Sequence, residues 1–373
     1  MSVGQERANL PEPVSRYVFL DYLRALAAWL VVWDHFGNIM PRGLGHVFGP
    51  AEWVRHNITG PLGIIQDFGW FGVALFFLIS GFIISDRARV ESVYVFAVRR
   101  VLRIYPMLAV AVLLSAAFVA ARTDVTPRAV LLNLTLANYV IYPQVVLLGV
   151  AWTLIIEMIF YGLTAATQFA RGSPHRIAFN LAATALVIWK RGAFGLDFGL
   201  FATATAYLPV LVMGQTVYWW MARRRLSAAW GLAYLAAAAA VFLWGLRAMQ
   251  PGFLPVTNSY FISLAYALLL FVALLHIPLP ERRSVRLLSD TSYSVYLLHG
   301  VVGWLTLAGL IDRTPLIVAI MAAAAVSLAA AYVAHRLVEL PFQRLGRYLT
   351  RGRGAGRLSS SPEPAPGDRA AGG

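Results

Sequence analysis

The chain has 373 residues and no cysteine. Disulfides, thiolate-bound metals and a cysteinyl acyl-enzyme are thereby excluded. Charge is scarce as well: 13% of residues are Asp, Glu, Lys or Arg, against 59% hydrophobic. Soluble domains carry about 45–50% apolar and about 25% charged residues. With a mean hydropathy of +0.67, this is the composition of a polytopic membrane protein. The long apolar runs do not alternate in polarity, so helices rather than a closed barrel span the bilayer. There is no P-loop, no HExxH and no nucleophile elbow, which leaves ATP-driven, zinc and serine-hydrolase chemistry without support. No cleavable signal peptide is expected, because the first fifteen residues are polar and no small-residue cleavage site follows the first span.

What the chain does have is basic charge, a formal net +14. Such an excess can mark a nucleic-acid binder. Here the arginines stand in short segments between apolar runs, where they set membrane orientation instead. The pattern predicts an all-α transmembrane bundle of ten helices, at 17–36, 68–85, 104–121, 152–169, 176–191, 200–221, 228–247, 258–277, 291–310 and 314–336. Arg87, Arg89, Arg99, Arg100, Arg103, Arg223, Arg224, Arg225, Arg282, Arg283 and Arg286 fall on the side of the N-terminus. That bias puts both termini in the cytoplasm. Residues 1–16 then form a cytoplasmic segment and 17–345 one transmembrane domain. The Gly-, Ser-, Pro- and Arg-rich 346–373 form a tail expected to be disordered.

Several polar residues interrupt the apolar spans. "LDYLRALAAWLVVWDHF", residues 20–36, holds Asp21, Arg24, Asp34 and His35. At 100° per residue, Arg24 and His35 share one helical face and lie ~16 Å apart along the axis, while Asp34 points ~80° away. An arginine at bilayer depth costs at least ~2.5–3.5 kcal/mol on insertion scales. A helix that keeps one either lets it snorkel to the headgroups beside Asp21 or builds a site around it. In "GVAWTLIIEMIFYGL", Glu157 is expected at a depth like that of His35 and could pair with it. "RRVLRIYP" places Arg99 and Arg103 at i and i+4, with Arg100 beside them. Three guanidiniums there can hold phosphates bidentately or simply anchor the boundary. In "SDTSYSVYLLHGVVGW", His299 sits near mid-span with Tyr293 and Tyr296, and Tyr296 at i−3 could satisfy it. Ser80 and Gly81, in "FGVALFFLISGFIIS", permit another backbone to approach closely.

Six segments in this order resemble the bacterial acyltransferase 3 family of integral membrane O-acyltransferases. They are Arg24 and His35 separated by ten residues; "FFLISGFII"; Arg99, Arg100 and Arg103; "WTLIIEMIFY"; "SYSVYLLH"; and "VELPF" around Glu339. "WTL" stands where the family often has Ser after Trp, and Thr keeps the hydroxyl. The resemblance implies transfer of an acyl group from cytoplasmic acyl-CoA, foremost acetyl-CoA, to a hydroxyl on the outer side. Acceptors would be cell-surface glycans, lipid-linked saccharides or glycosylated metabolites. It also implies His35 as the catalytic histidine, acting as general base or through an acyl-histidine intermediate, with Arg24 supporting it, and Arg99, Arg100 and Arg103 as the acyl-CoA mouth. By triad logic Glu157 would orient His35. Asp34, Ser80, Trp152, Tyr161, Tyr296 and His299 are candidate site-lining residues. No metal or permanently bound cofactor and no nucleic acid is expected, and oligomeric state is left open. A proton-coupled exporter is the competing reading, since buried Arg, Glu and His also suit one. A non-catalytic assembly partner is a third.

Overall fold

The computed structural model describes residues 17–120, 124–167, 173–249 and 254–351. Among these residues there are helices and no strand. The first, α1 (Val18–Asp34), widens into a π-helical turn over His35–Ile39 and ends in the short α2 (Met40–Gly43). A second short helix, α3 (Gly49–Val54), leads to α4 (Gly69–Val90) and α5 (Val93–Ala120). Next come α6 (Pro127–Leu134), α7 (Trp152–Ala166), α8 (His175–Trp189), α9 (Leu196–Thr205) and α10 (Leu208–Val217). The remainder is α11 (Ala228–Met249), α12 (Leu254–His276), α13 (Arg283–Leu298), α14 (Trp304–Leu310), α15 (Leu316–Ala334) and α16 (Leu340–Leu349).

Eight of the resulting helical runs are long and apolar enough to cross a membrane. The other two predicted spans are α1, which carries Asp21, Arg24 and Asp34, and the 15-residue α8. The protein is a multi-pass membrane protein with a helical-bundle fold.

Two boundaries differ from expectation. The third span begins at Val93 rather than 104, so Arg99, Arg100 and Arg103 lie inside the helix, ahead of an internal Pro106. Arg is a good helix former, and nothing before the proline breaks the helix. At the other end α16 runs to Leu349, past the tail boundary expected at 346. Residues 1–16 and 352–373, expected to be a cytoplasmic segment and most of the tail, lie outside the described residues.

The bundle is organised around α4, which packs against α1, α10 and α12. Lipid tails are as apolar as leucine, so helices associate in a bilayer through close packing rather than through the hydrophobic effect. The α4–α10 crossing shows this. A Cβ on Gly81 would overlap the Leu211 carbonyl, and one on Gly214 would overlap the Leu78 carbonyl. Each glycine thus receives the other helix's backbone. On the opposite side of α4, Gly72 lies against the Ala27 carbonyl of α1. Near the chain's end, Glu339 accepts hydrogen bonds from Ser294 of α13 and Gln343 of α16, both at 2.9 Å.

Replacing Gly81 or Gly214 by Ala will destabilise the bundle by about 1–3 kcal/mol, the usual cost of overpacking. Gly162→Ala, which meets open space on α7, will leave stability unchanged or raise it slightly. Thermal unfolding of the detergent-purified protein distinguishes the two outcomes.

Candidate active site

Three cavities follow one another through the bundle. The first, ≈ 400 Å³, opens on the face where α1 begins and is lined by six arginines, Arg24, Arg87, Arg99, Arg100, Arg103 and Arg347, and by four carboxylates, Asp21, Asp86, Glu91 and Asp290. The second, ≈ 90 Å³, shares Arg24, Arg100 and Arg103 with it and adds Phe76, Ser80, Thr153, Glu157, Tyr293 and Tyr296. The third, ≈ 420 Å³, lies beyond Tyr296 and contains His35, Val150, Trp152 and Trp304. A wide basic chamber therefore narrows to a thin passage, and the imidazole of His35 stands past its end.

The three arginines common to the first two cavities make no direct ion pair, although carboxylates stand near them: Asp21 and Glu157 act on Arg24, and Glu339 and Glu157 on Arg103. Arg24, Arg100 and Arg103 form no hydrogen bond or ion pair with any described residue, and the buried Nε of Arg100 has no partner. The Arg100 guanidinium lies instead over the rings of Phe96 and Tyr161, at 5.4 and 5.8 Å. One carboxylate, Glu157, shares the narrow cavity with the three guanidiniums. Three guanidiniums beside one carboxylate leave an excess of positive charge there, so this cluster is suited to an anion from outside the chain. Arg99 is not equivalent. It donates to Glu91 at 2.9 Å and to Thr350 at 3.0 Å, so its charge is already matched.

Glu157 and His35 are not brought together. Glu157 accepts a hydrogen bond from Ser80 at 3.1 Å and another from Tyr161. The reason is helical geometry. Glu157 lies five residues past Trp152, ~7.5 Å further along α7, which takes it to the narrow cavity while Trp152 stays in the one holding His35. Tyr161, one turn on, meets the same carboxylate. Arg24 and His35 share a face of α1 as expected but open onto different cavities.

The partner of His35 is His299. Its Nε2 lies 2.9 Å from His35 Nδ1, and the ring centroids are 4.7 Å apart. His299 Nδ1 lies 3.0 Å from the Val295 carbonyl. A carbonyl only accepts, so His299 carries its proton on Nδ1 and offers the Nε2 lone pair. His35 must then donate from Nδ1, which leaves the lone pair on its own Nε2. This chain of hydrogen bonds fixes both tautomers. Both histidines open π-helical turns, His35–Ile39 and His299–Gly303, a winding common at functional sites.

Tyr296, at i−3 from His299, does not satisfy that histidine. Its hydroxyl donates to the Val150 carbonyl at 3.0 Å and accepts from Thr153, also at 3.0 Å. These contacts form the wall between the narrow cavity and that of His35. Asp34 turns away, as expected, and accepts from Asn38 at 3.2 Å. It belongs to a separate network in which Arg55 binds Asp67, Glu52 and Asn38. Sequence reasoning passed over Ser115, which shares the His35 cavity, because a lone serine in "LLSAAF" carries no pattern. Arg87 and Arg347 of the wide chamber were read as loop and tail charge.

A helical membrane bundle with an anion-seeking passage that stops short of an oriented imidazole has the parts of a membrane-embedded group-transfer enzyme. The chain belongs to the acyltransferase 3 family and is a membrane acyltransferase: a family model described as an acyltransferase domain matches residues 17–336. No curated protein and no solved structure matches the chain.

Histidine side-chain ¹⁵N spectra, with His35 assigned by loss of its signals in His35→Gln, will show proton on Nδ1 and a free Nε2. His299→Phe will abolish that preference. An Nε2–H tautomer of His35 in the unaltered protein would show that the hydrogen-bond chain is assigned in the wrong direction.

Proposed function

We propose that the protein is an O-acyltransferase of the bacterial cytoplasmic membrane, with both termini in the cytoplasm. It moves an acyl group from cytoplasmic acyl-CoA, acetyl-CoA foremost, to a hydroxyl of a cell-surface glycan, lipid-linked saccharide or glycosylated metabolite. The observation that carries this reading is the convergence of Arg24, Arg100 and Arg103, three guanidiniums around the single carboxylate of Glu157, on a passage that leads from the α1 face toward His35. Guanidiniums in that state suit the phosphates of CoA. The nucleotide portion remains in the ≈ 400 Å³ chamber, where Arg87 and Arg347 add charge. The ≈ 90 Å³ passage admits only something as thin as the pantetheine arm, and Ser80, Thr153 and Glu157 offer hydrogen bonds to its amides. Arg24 and His35 are eleven residues apart, ~16 Å along α1, a span that an extended arm covers.

At the far end the acceptor oxygen attacks the thioester carbonyl carbon. His35 Nε2 takes the hydroxyl proton as the C–O bond forms. The C–S bond then breaks, and the proton passes from His35 to the departing sulfur, giving an ester and free CoA thiol. His299 holds His35 in the reactive tautomer and stabilises its transient positive charge through the Nδ1–H hydrogen bond. It thus takes the orienting role expected of Glu157. The reaction requires the wall formed by Tyr296, Thr153 and Val150 to part when the arm arrives. The exporter reading leaves the arginine cluster beside so narrow a passage unexplained.

His35→Ala will lower turnover by about 10²- to 10⁴-fold, the usual contribution of a general base, while acyl-CoA still binds. Arg103→Ala will raise the KM for acyl-CoA roughly 10- to 100-fold, from about 1.5–3 kcal/mol per charged hydrogen bond, with a smaller change in kcat. The readout is free thiol released in proportion to acylated acceptor in proteoliposomes. Near-normal turnover in folded His35→Ala would overturn the assignment, and transport of unmodified substrate without thiol release would favour the exporter.

A further inference from the structure

The wall between the narrow passage and the cavity of His35 has three members, and they differ in what holds them. Tyr296 stands on α13 and Thr153 in the first turn of α7. Val150 stands on a single 3₁₀ turn, Gly149–Ala151. The Tyr296 hydroxyl reaches both of the others, the Val150 carbonyl and the Thr153 hydroxyl, at 3.0 Å. Its ring packs edge-on against Phe76 of α4, with centroids 5.4 Å apart, and lies 6.1 Å from the ring of His299.

The chain that leads to Val150 is a strap. Residues 140–148 form neither helix nor strand, so side chains satisfy their backbone instead. Asn133 donates to the Val145 carbonyl at 2.9 Å and accepts from the Leu147 amide at 3.0 Å. The Tyr139 hydroxyl donates to the Leu148 carbonyl at 2.7 Å, and the Tyr142 amide donates to Asp197 at 2.6 Å. Leu147, Leu148, Gly149 and Val150 also form one side of the ≈ 420 Å³ cavity that holds His35. One segment therefore borders that cavity along its length and closes the passage at its end. A strap tied by a few side-chain bonds opens at lower cost than a packed helix. The passage has no comparable moving part, since the residues lining it all stand on α1, α4, α5, α7 or α13.

We infer that Tyr296 is a latch that makes use of the donor conditional on the acceptor. An acceptor entering the His35 cavity presses on the strap and draws the Val150 carbonyl away from the Tyr296 hydroxyl. The ring then turns aside, and the thioester meets His35 only when an acceptor hydroxyl is already there. This positioning role rests on the acyl-transfer reading. Without a latch, water in the same cavity would meet the thioester. Its oxygen would add to the carbonyl carbon, and its proton would pass to His35 Nε2 and on to the departing sulfur, so the donor would be lost as free acid and CoA thiol. Keeping a site closed until both reactants are present protects against such hydrolysis.

The test uses the purified full-length protein in nanodiscs, with acetyl-CoA and no acceptor. Tyr296→Phe keeps the ring against Phe76 and removes only the hydroxyl. It will raise thiol release roughly five- to fiftyfold, as expected for loss of two neutral hydrogen bonds, and adding His35→Ala will return release to the unaltered level. Thr153→Val will act in the same direction, and Thr153→Ser will not. Loss of a merely structural contact would lower turnover without creating hydrolysis that depends on His35. Hydrogen exchange, measured without acetyl-CoA, will be several-fold faster at residues 147–151 in Tyr296→Phe than in the unaltered protein. Unchanged exchange there overturns the latch whatever the chemistry, and so does thiol release that persists in the double variant. Equal release by Tyr296→Phe and the unaltered protein also overturns it, provided that the unaltered protein turns acetyl-CoA over in its native membranes, which supply the acceptor. If acetyl-CoA is not turned over even there, the acyl-transfer reading fails, and the exchange result alone decides the latch.

Discussion

One hydrogen bond between two neutral imidazoles, His35 Nδ1 to His299 Nε2 at 2.9 Å, ties the start of the chain to its last third. The Val295 carbonyl determines the proton position on His299, and His299 determines it on His35. The free lone pair of His35 therefore depends on the backbone of α13. Histidines elsewhere are often oriented by a carboxylate. Deep in an apolar bundle, a carbonyl–imidazole chain achieves the same orientation without a buried charge, whose desolvation would be costly. Both histidines open π turns, and their rings meet although the residues lie 264 positions apart.

The arginine cluster presents the opposite electrostatic problem. Arg24, Arg100 and Arg103 are kept inside the bundle without a direct ion pair, while Arg99 and Arg55 are paired within the chain with Glu91 and with Asp67. The contrast separates arginines held by a carboxylate from arginines that line a cavity without such a contact. The glycine crossing of α4 and α10 supports this region, because the adjacent Ser80 bonds Glu157 in the same cavity. Packing and polarity are thus coupled: the close approach at Gly81 and the polar lining at Ser80 occupy neighbouring positions on one helix.

Much of the fold was legible from hydrophobic runs, since lipid leaves a chain few ways to satisfy its backbone. Among the described residues, each of the ten predicted spans falls on helix, with a turn at Ala206 and Tyr207 dividing the sixth. The start of α5 was misread because "RRVLRIYP" looks like loop punctuation, yet the proline is accommodated well inside the helix. Within the site, the shared face of Arg24 and His35 follows from 3.6-residue periodicity alone. The His35–His299 contact does not, since nothing in either local pattern specifies which helices adjoin. Pairing His35 with Glu157 was reasonable from similar expected depth, but Tyr161, one turn along, and Ser80, across the α4–α7 contact, take that carboxylate instead.

By itself, the sequence determined the class of solvent the protein lives in, its helical-bundle fold and the residues whose burial demands a reason. Each of these follows from transfer free energies and helical periodicity, which are local. Tertiary structure alone decided which polar groups found partners, which arginines are held in direct ion pairs, and that the passage stops at Tyr296 short of His35. Those outcomes depend on the lateral arrangement of helices, and in a bilayer that arrangement is set by close packing of small residues at particular crossings, a property of pairs of helices rather than of any single stretch of chain.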